Sequence, residues 1–156
     1  MPEVPSGMDA TALSQLQRVI DAPAALRAVA AAVHAAAELG VQVNVAVVDA
    51  AGVLAAFARM PGAPLHSVDI AIDKAYTATS FGLPTSAWHA TLQQHSQAVR
   101  EGLVQRPRFV AFGGGLPMVE DGARIGAIGV SGGSEAQDEA IARAGLQALG
   151  LAPAAV

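Results

Sequence analysis

The chain has 156 residues, of which 53% are hydrophobic and only 4% aromatic. This length predicts one domain over residues 1–156, with a loose arm at 1–12. The composition predicts a core of small side chains rather than aromatic rings. The net charge of −4 without a basic cluster excludes nucleic acid and anionic membranes as partners, and the absence of cysteine excludes disulfides, thiolate metal sites and covalent haem attachment.

One long helix and a hairpin are predicted as the main elements in the first part of the chain, preceded by a short helical segment that the element order below does not count. A short helix is expected over residues 11–20, and a longer one runs from Ala24 to Leu39, with Gly40 at the C-cap position. The valine-rich segment 41–48 favours a strand over a helix. A short turn then leads into a second strand over 53–58, so the two strands form an antiparallel hairpin.

The remainder of the chain predicts two helices, three strands and a closing helix. One helix is capped by Ser67 and ends near Phe81, a second covers 86–95, and the last begins at Ser134, which is spaced from Gln137 as in a capping box. The three strands are expected at 108–112, 116–119 and 124–130. The element order α-β-β-α-α-β-β-β-α predicts an α/β domain with one antiparallel five-stranded sheet flanked by helices.

Assembly and location follow from composition. Only 14% of the residues are charged, so we expect a homo-oligomer that buries apolar surface between subunits. Residues 1–10 lack the basic and apolar stretches of a secretory signal, and the alanine-rich run 28–37 is too short to cross a bilayer. The expected location is the cytoplasm.

Four segments between Ala24 and about Gly145 resemble the GlcG/HbpS family in order and spacing. They are Val45–Asp49 with Gly52; Arg59–Met60 with Gly62–Ala63; Ser67 through Ile70, Lys74 and Thr77 to Phe81 and Thr85; and Gly113–Pro117 followed by Gly126–Gly133 and Gln137–Glu139. One departure is Pro61, at a position where the family commonly carries an aspartate.

The resemblance implies a profilin-like α/β fold that assembles into dimers or rings of up to eight subunits. It also implies a range of functions, because some members bind haem or interact with iron and one branch is fused to a cobalamin adenosyltransferase. Other members accompany catabolic enzymes for small carboxylates, diols or aromatics. The degradation of haem is not transferred to this chain as an activity.

Lys74 is the first candidate for chemistry. It shares a face of its predicted helix with Ile70 and Phe81, so it is expected to meet the sheet or a ligand. An amine in that position binds a substrate carboxylate or acts with a pKa lowered by desolvation; the structural alternatives are a pair with Asp49 and a side chain that extends to the edge of the sheet. The other face of the helix, expected to be solvated, carries Asp69, Asp73, Tyr76 and Ser80.

Two glycine-containing loops are candidates for ligand binding. They consist of Gly113, Gly114 and Gly115, and of Ser131, Gly132 and Gly133. The first lacks a phosphate-loop pattern, so it indicates either amides that line a pocket or a β-bulge. The second precedes a helix whose N-terminus favours an anion, unless Ser134 and Gln137 satisfy its amides themselves.

His66 and Arg59 complete the predicted pocket. His66 follows the loop that begins at Arg59 and immediately precedes the Lys74 helix, so it is a candidate acid/base or haem ligand. Arg59 is suited to clamp a carboxylate or to form a surface salt bridge. The spacing of His89 and His95 matches no metal motif, and no metal site is predicted.

Besides the role of a structural or regulatory partner of another enzyme, with apolar surface that serves assembly, two functions remain in competition at this point. The first is a protein that binds a small anionic organic molecule, with haem as the candidate that the resemblance suggests. The second is a cofactor-free isomerase, lyase or hydrolase in which Lys74 or His66 moves a proton beside a substrate carbonyl.

Overall fold

The computed structural model describes residues 11–153, which form six helical segments and four strands. In chain order these are α1 (Ala22–Leu39), β1 (Asn44–Asp49), β2 (Leu54–Arg59), α2 (Ser67–Phe81), a 3-10 turn (Thr85–Ala87), α3 (Trp88–Gln93), α4 (Gln97–Leu103), β3 (Gly115–Glu120), β4 (Ala123–Ser131) and α5 (Glu135–Ala148).

The strands form one antiparallel sheet in the order β2-β1-β4-β3. The sheet therefore has four strands rather than the predicted five. The profilin-like topology that the resemblance implies stays a prediction.

Helices cover both faces of this sheet. Val45 and Val47 of β1 point into the main core with α1 and α5, whereas Val48 packs with the α2 residues Ala75 and Ala78. Alternation along β1 thus separates the two layers, since successive side chains of a strand point to opposite faces.

Small residues let α2 lie very close to the sheet. Gly129 of β4 faces α2, and a Cβ at this position would be 2.6 Å from the backbone nitrogen of Ala75 and would overlap the carbonyl oxygen of Ala71. Cross-strand partners of Gly129 are Ala46 and Gly115, which are also small. The backbone of α2 therefore rests almost directly on the sheet.

Two of the three predicted helix caps, at Gly40 and Ser134, are present in the structure. Asp21 accepts a hydrogen bond from the backbone N–H of Ala22, and Gly40 ends α1 in the left-handed conformation with φ +71°. The capping box at α5 is confirmed, because Ser134 and Gln137 each accept from the other's backbone N–H. The predicted cap at Ser67 is wrong: His66 precedes the first turn of α2, without a side-chain cap.

The predicted strand at 108–112 is wrong. Arg108 has φ +68°, which no strand residue adopts, and the segment packs across α2 instead of joining the sheet. The Thr77 hydroxyl donates to the Arg108 carbonyl oxygen (3.0 Å) and accepts from the Val110 N–H (3.1 Å). Backbone groups of this segment therefore bond the Thr77 side chain of α2, and not a neighbouring strand as its apolar composition predicted.

Two helix predictions also need correction. Residues 11–20 contain no helix; they run as an irregular arm that Arg18 ties to Glu120 and that the Ile20 N–H ties to the Ile125 carbonyl. The predicted helix at 86–95 is split into the 3-10 turn and α3. The helix α4 was not predicted, since its sequence is polar and none of its residues is buried.

The close approach of α2 predicts that Gly129→Ala destabilises the fold. The added methyl group overlaps the α2 backbone, so the free energy of unfolding should fall by about 2–3 kcal/mol in urea denaturation. Gly102→Ala is the matched control, because a methyl group at this position of α4 would meet nothing within 4 Å. Both substitutions lower the conformational entropy of the unfolded chain in the same way, so a difference in stability reports on packing in the folded state. Equal stability of the two variants would contradict the packing described.

Candidate functional site

Lys74 lies at the junction of α2, β4 and α5. Its side chain is 1% exposed, and the ammonium donates to the Val130 carbonyl oxygen (2.8 Å) and to Oδ2 of Asp138 (3.1 Å). The Phe112 ring centroid lies 5.0 Å from Nζ. Lys74 is the only lysine in the chain, and its structural partner is Asp138 rather than Asp49.

The glycine run provides the space for this side chain. Gly114 has φ +129°, and a Cβ at this residue would be 2.6 Å from Nζ of Lys74 and 2.5 Å from the Val130 carbonyl oxygen. A Cβ at Gly115 would be 2.6 Å from the Lys74 carbonyl oxygen. The run therefore forms the wall along which Lys74 passes from α2 towards the first turn of α5.

Burial and pairing act on the ammonium in opposite directions. Desolvation lowers the pKa of Lys74 below its ordinary value of 10.5, while the carboxylates of Asp138 and Glu135 raise it. Desolvation is the larger effect. The amine is therefore easier to deprotonate than an ordinary lysine, but the Val130 carbonyl and the Asp138 carboxylate that accept its hydrogen bonds belong to the protein itself.

The N-terminus of α5 is closed by the chain's own side chains. Oδ1 of Asp138 accepts from the Gly133 N–H (2.9 Å), and Oε1 of Glu135 accepts from the Gly113 N–H (2.7 Å). The Gly115 N–H donates to the Thr85 hydroxyl at 2.8 Å. Both glycine-containing loops thus lie beside Lys74, and these amides already have internal acceptors.

Within the described residues, neither Arg59 nor His66 is among the hydrogen-bond or ion-pair partners of Lys74. Nη2 of Arg59 donates to the Ala63 carbonyl oxygen at 2.5 Å, which closes the loop that leads to α2. His66 is exposed and lies eight residues before Lys74, about 12 Å along the helix axis. The structure therefore groups Lys74 with the two glycine-containing loops and places His66 just before α2. Arg59 lies at the end of β2, where Asn44 of β1 separates it from Ser131.

His66 borders an open cavity of about 480 Å³ beside the first half of α2. We call it the His66 cavity. It is lined by Leu65, His66, Asp69, Ile70, Asp73 and Val110.

A second, smaller cleft of about 260 Å³ lies beside the second half of α2. We call it the Arg106 cleft. Its lining residues are Tyr76, Thr77, Ser80, Phe81, Leu103, Arg106, Pro107, Arg108 and Phe109.

The sequence did not reveal several residues that shape the site. The position of Asp138 favours compensation of the helix dipole, yet its two carboxylate oxygens link Lys74 to the start of α5. Thr85 and Glu135 hold the glycine run through its amides. The sequence signals for Asp138 are its position in the first turn of a helix and its place in a family-resembling segment, and neither indicates a partner 64 residues away.

Over residues 11–153, the chain contains no group of three or more His, Asp or Glu residues placed to hold a metal ion. The same part of the chain contains no helix that is long and apolar enough to cross a membrane.

The fold and the site define a mixed α/β protein with one antiparallel sheet, helices on both faces, and open cavities along α2. Within that class, the chain belongs to the family described as haem-degrading protein HbpS-like, whose model matches residues 20–147.

Individual relatives agree with this assignment. An uncharacterized 15.0 kDa protein in the dhaT-dhaS intergenic region of Citrobacter freundii is 40% identical over 124 residues, 79% of this chain and 87% of the relative. The crystal structure of Klebsiella pneumoniae protein ORFY is 34% identical and has a TM-score of 0.82, covering 89% of this chain and 96% of that one. A PduOC:heme complex is 33% identical with a TM-score of 0.78, covering 86% and 97%.

The single lysine allows a direct test of its electrostatic environment. In protein labelled with ¹³C-lysine, the Lys74 signal should titrate below 10.5, and Asp138→Asn should lower its pKa further because a stabilising carboxylate charge is lost. The folded protein holds this proton less tightly than the unfolded chain does. The free energy of unfolding should therefore rise with pH between the folded pKa of Lys74 and 10.5.

Glu139→Gln is the matched control for this titration. Glu139 lies in the same helix but pairs with Arg143 and Ser86, so its neutralisation should leave the Lys74 pKa unchanged. A Lys74 signal that titrates at or above 10.5 in the wild type would contradict the desolvation described.

Proposed function

We propose that the protein binds a small anionic organic ligand in the His66 cavity, with a haem-like tetrapyrrole as the first candidate. The observation that carries the proposal is an exposed imidazole at the edge of a cavity of about 480 Å³. Ligand sites in proteins are concave, apolar in part and of this size, with a few polar groups for orientation.

The lining residues fit a large planar ligand in part. Leu65, Ile70 and Val110 supply apolar surface, and His66 supplies a nitrogen of the kind that ligates haem iron. Asp73 is neutralised by Arg108, but Asp69 would repel propionate groups, so the carboxylates of such a ligand should point away from α2. Arg59 ends β2, before the loop that leads to His66, and does not line the cavity; its N–H groups that do not bond Ala63 are available to a carboxylate that reaches beyond the cavity edge.

The remaining predicted residues take a different part in this proposal. In this proposal they do not touch the ligand but fix the positions of α2 and α5, and α2 forms a wall of the cavity. These residues are Lys74, Gly113 to Gly115 and Ser131 to Gly133. Support from relatives comes from the PduOC:heme complex, a structure of a haem-bound protein with the same fold. We further propose a cytoplasmic, accessory role in a catabolic or haem-related pathway.

A haemin titration of the full chain tests this proposal. Wild-type protein should give a saturable, stoichiometric Soret shift, and His66→Ala should weaken binding by about tenfold or more because the imidazole that would hold the iron is lost. His95→Ala is the matched control, since His95 is also exposed but lies outside the cavity. Unsaturable adsorption, or equal binding by both variants, would overturn the proposal.

One observation favours the alternative of a cofactor-free enzyme. The pKa of the Lys74 amine is lowered by burial, which suits a proton-transfer group. The Phe112 ring that covers the amine is itself 44% exposed, so it is the element that a substrate would have to displace. Deuterium exchange next to the carbonyl of small 2-oxocarboxylates, measured by NMR and lost in Lys74→Met, would support catalysis.

We also propose that the protein is a homo-oligomer, from a dimer up to an octamer. Leu13 and Leu16 in the arm before α1 are fully exposed, and Leu26 and Leu54 are about half exposed. Exposed apolar side chains in such number indicate a surface that another subunit covers.

Light scattering on a sizing column tests the assembly. Wild-type protein should elute with a mass above that of one chain, and replacing Leu13 and Leu16 together by serine should lower that mass, because apolar contact area is lost. A monomer at every protein concentration would contradict the proposal.

A further inference from the structure

The Arg106 cleft combines apolar walls with positive charge. Phe81, Leu103 and Phe109 supply apolar surface, and Arg106 and Arg108 lie among its lining residues. No carboxylate lines it, in contrast to the His66 cavity with its two aspartates. This combination favours an anion that carries an apolar body.

The two arginines of the cleft differ in their contacts within the protein. Arg108 donates from Nε to Oδ1 of Asp73 at 2.9 Å, and its guanidinium lies 3.7 Å from the centroid of the Tyr76 ring. Within residues 11–153, the Arg106 side chain has neither an ion-pair nor a hydrogen-bond partner. Arg106 is therefore the guanidinium with free donors for a bidentate carboxylate contact.

The volume of the cleft limits the size of its ligand. An apolar cavity of about 150 Å³ holds benzene. A cleft of about 260 Å³ therefore accommodates one aromatic ring with a short acidic group, and it is too small for a tetrapyrrole.

Aromatic contacts form one side of the cleft. The Trp88 ring is buried and makes edge-to-face contacts with Phe81 (4.7 Å between centroids) and Phe109 (4.9 Å), and Phe81 and Phe109 also meet edge to face. Edge-to-face rings are held in fixed orientations, so these residues present a preformed surface for a further ring.

We propose that the Arg106 cleft binds a small aromatic monocarboxylate, with the ring against Phe81 and Phe109 and the carboxylate on Arg106. The site is separate from the His66 cavity. Asp73 lines that cavity and Tyr76 lines the cleft, and Arg108 contacts both residues, so its side chain lies between the two spaces. The proposal does not depend on haem binding.

The fluorescence of Trp88 provides a direct readout. Trp88 is the only tryptophan in the chain and touches two lining residues of the cleft. Titration of the full chain with benzoate and with phenylacetate should change its emission saturably. Benzamide, which is similar in shape to benzoate but uncharged, should bind at least about tenfold more weakly, because the charge-assisted hydrogen bonds are lost.

Variants assign the binding to the cleft. Arg106→Gln should weaken benzoate binding about tenfold or more, whereas Arg27→Gln, which removes an exposed arginine of α1, should leave it unchanged. Unchanged thermal unfolding of Arg106→Gln would show that lost binding does not reflect lost fold. The His66→Ala variant should bind benzoate as the wild type does, which separates this site from the His66 cavity.

Three outcomes would overturn the proposal. One is the absence of saturable change in Trp88 emission, and another is equal affinity of Arg106→Gln and wild type for benzoate. The third is emission that depends on protein concentration and not on benzoate, since a second copy of the chain would then occupy the cleft.

Discussion

The ion pair between Lys74 and Asp138 joins the two helical layers of the protein. Lys74 comes from α2 on one face of the sheet, and Asp138 from α5 on the other. A buried ion pair adds little net stability, but removal of one partner leaves an uncompensated charge and typically costs about 3–5 kcal/mol. The same aspartate holds the Gly133 amide. One carboxylate therefore fixes both the position of α2 and the start of α5.

This pairing determines where a ligand has room to bind. The amides of Gly113, Gly115 and Gly133 face acceptors within the chain, so the end of the sheet near α5 is a closed network. The His66 cavity and the Arg106 cleft lie instead on the outer side of α2. Because α2 is held against Gly129 on one side and by Asp138 at its centre, the walls of both cavities rest on a rigid element.

Local patterns were sufficient to predict most elements of the fold. Periodicity, capping and turn residues located α1, α2, α5 and the strands β1 to β4 within a few residues, because those signals act over short distances. The segment 108–112 has the apolar composition of a strand, yet the Thr77 hydroxyl and the positive φ of Arg108 place it across a helix. For the site, sequence pointed to Lys74 and the glycine run, but not to Asp138, whose role depends on a contact between distant residues.

The outer face of α2 shows why local sequence patterns did not predict the two cavities. Helical spacing correctly placed Asp69, Asp73, Tyr76 and Ser80 on one side, and the expectation for that side was solvent. In the structure the irregular segment from Arg106 to Val110 lies beside it, so these four residues line the two cavities. Arg108 neutralises Asp73 and stacks on Tyr76. Asp69 remains beside His66 as a charge that an anionic ligand must point away from, whereas the half beside Arg106 carries positive charge. The two cavities therefore favour anions of different size and orientation.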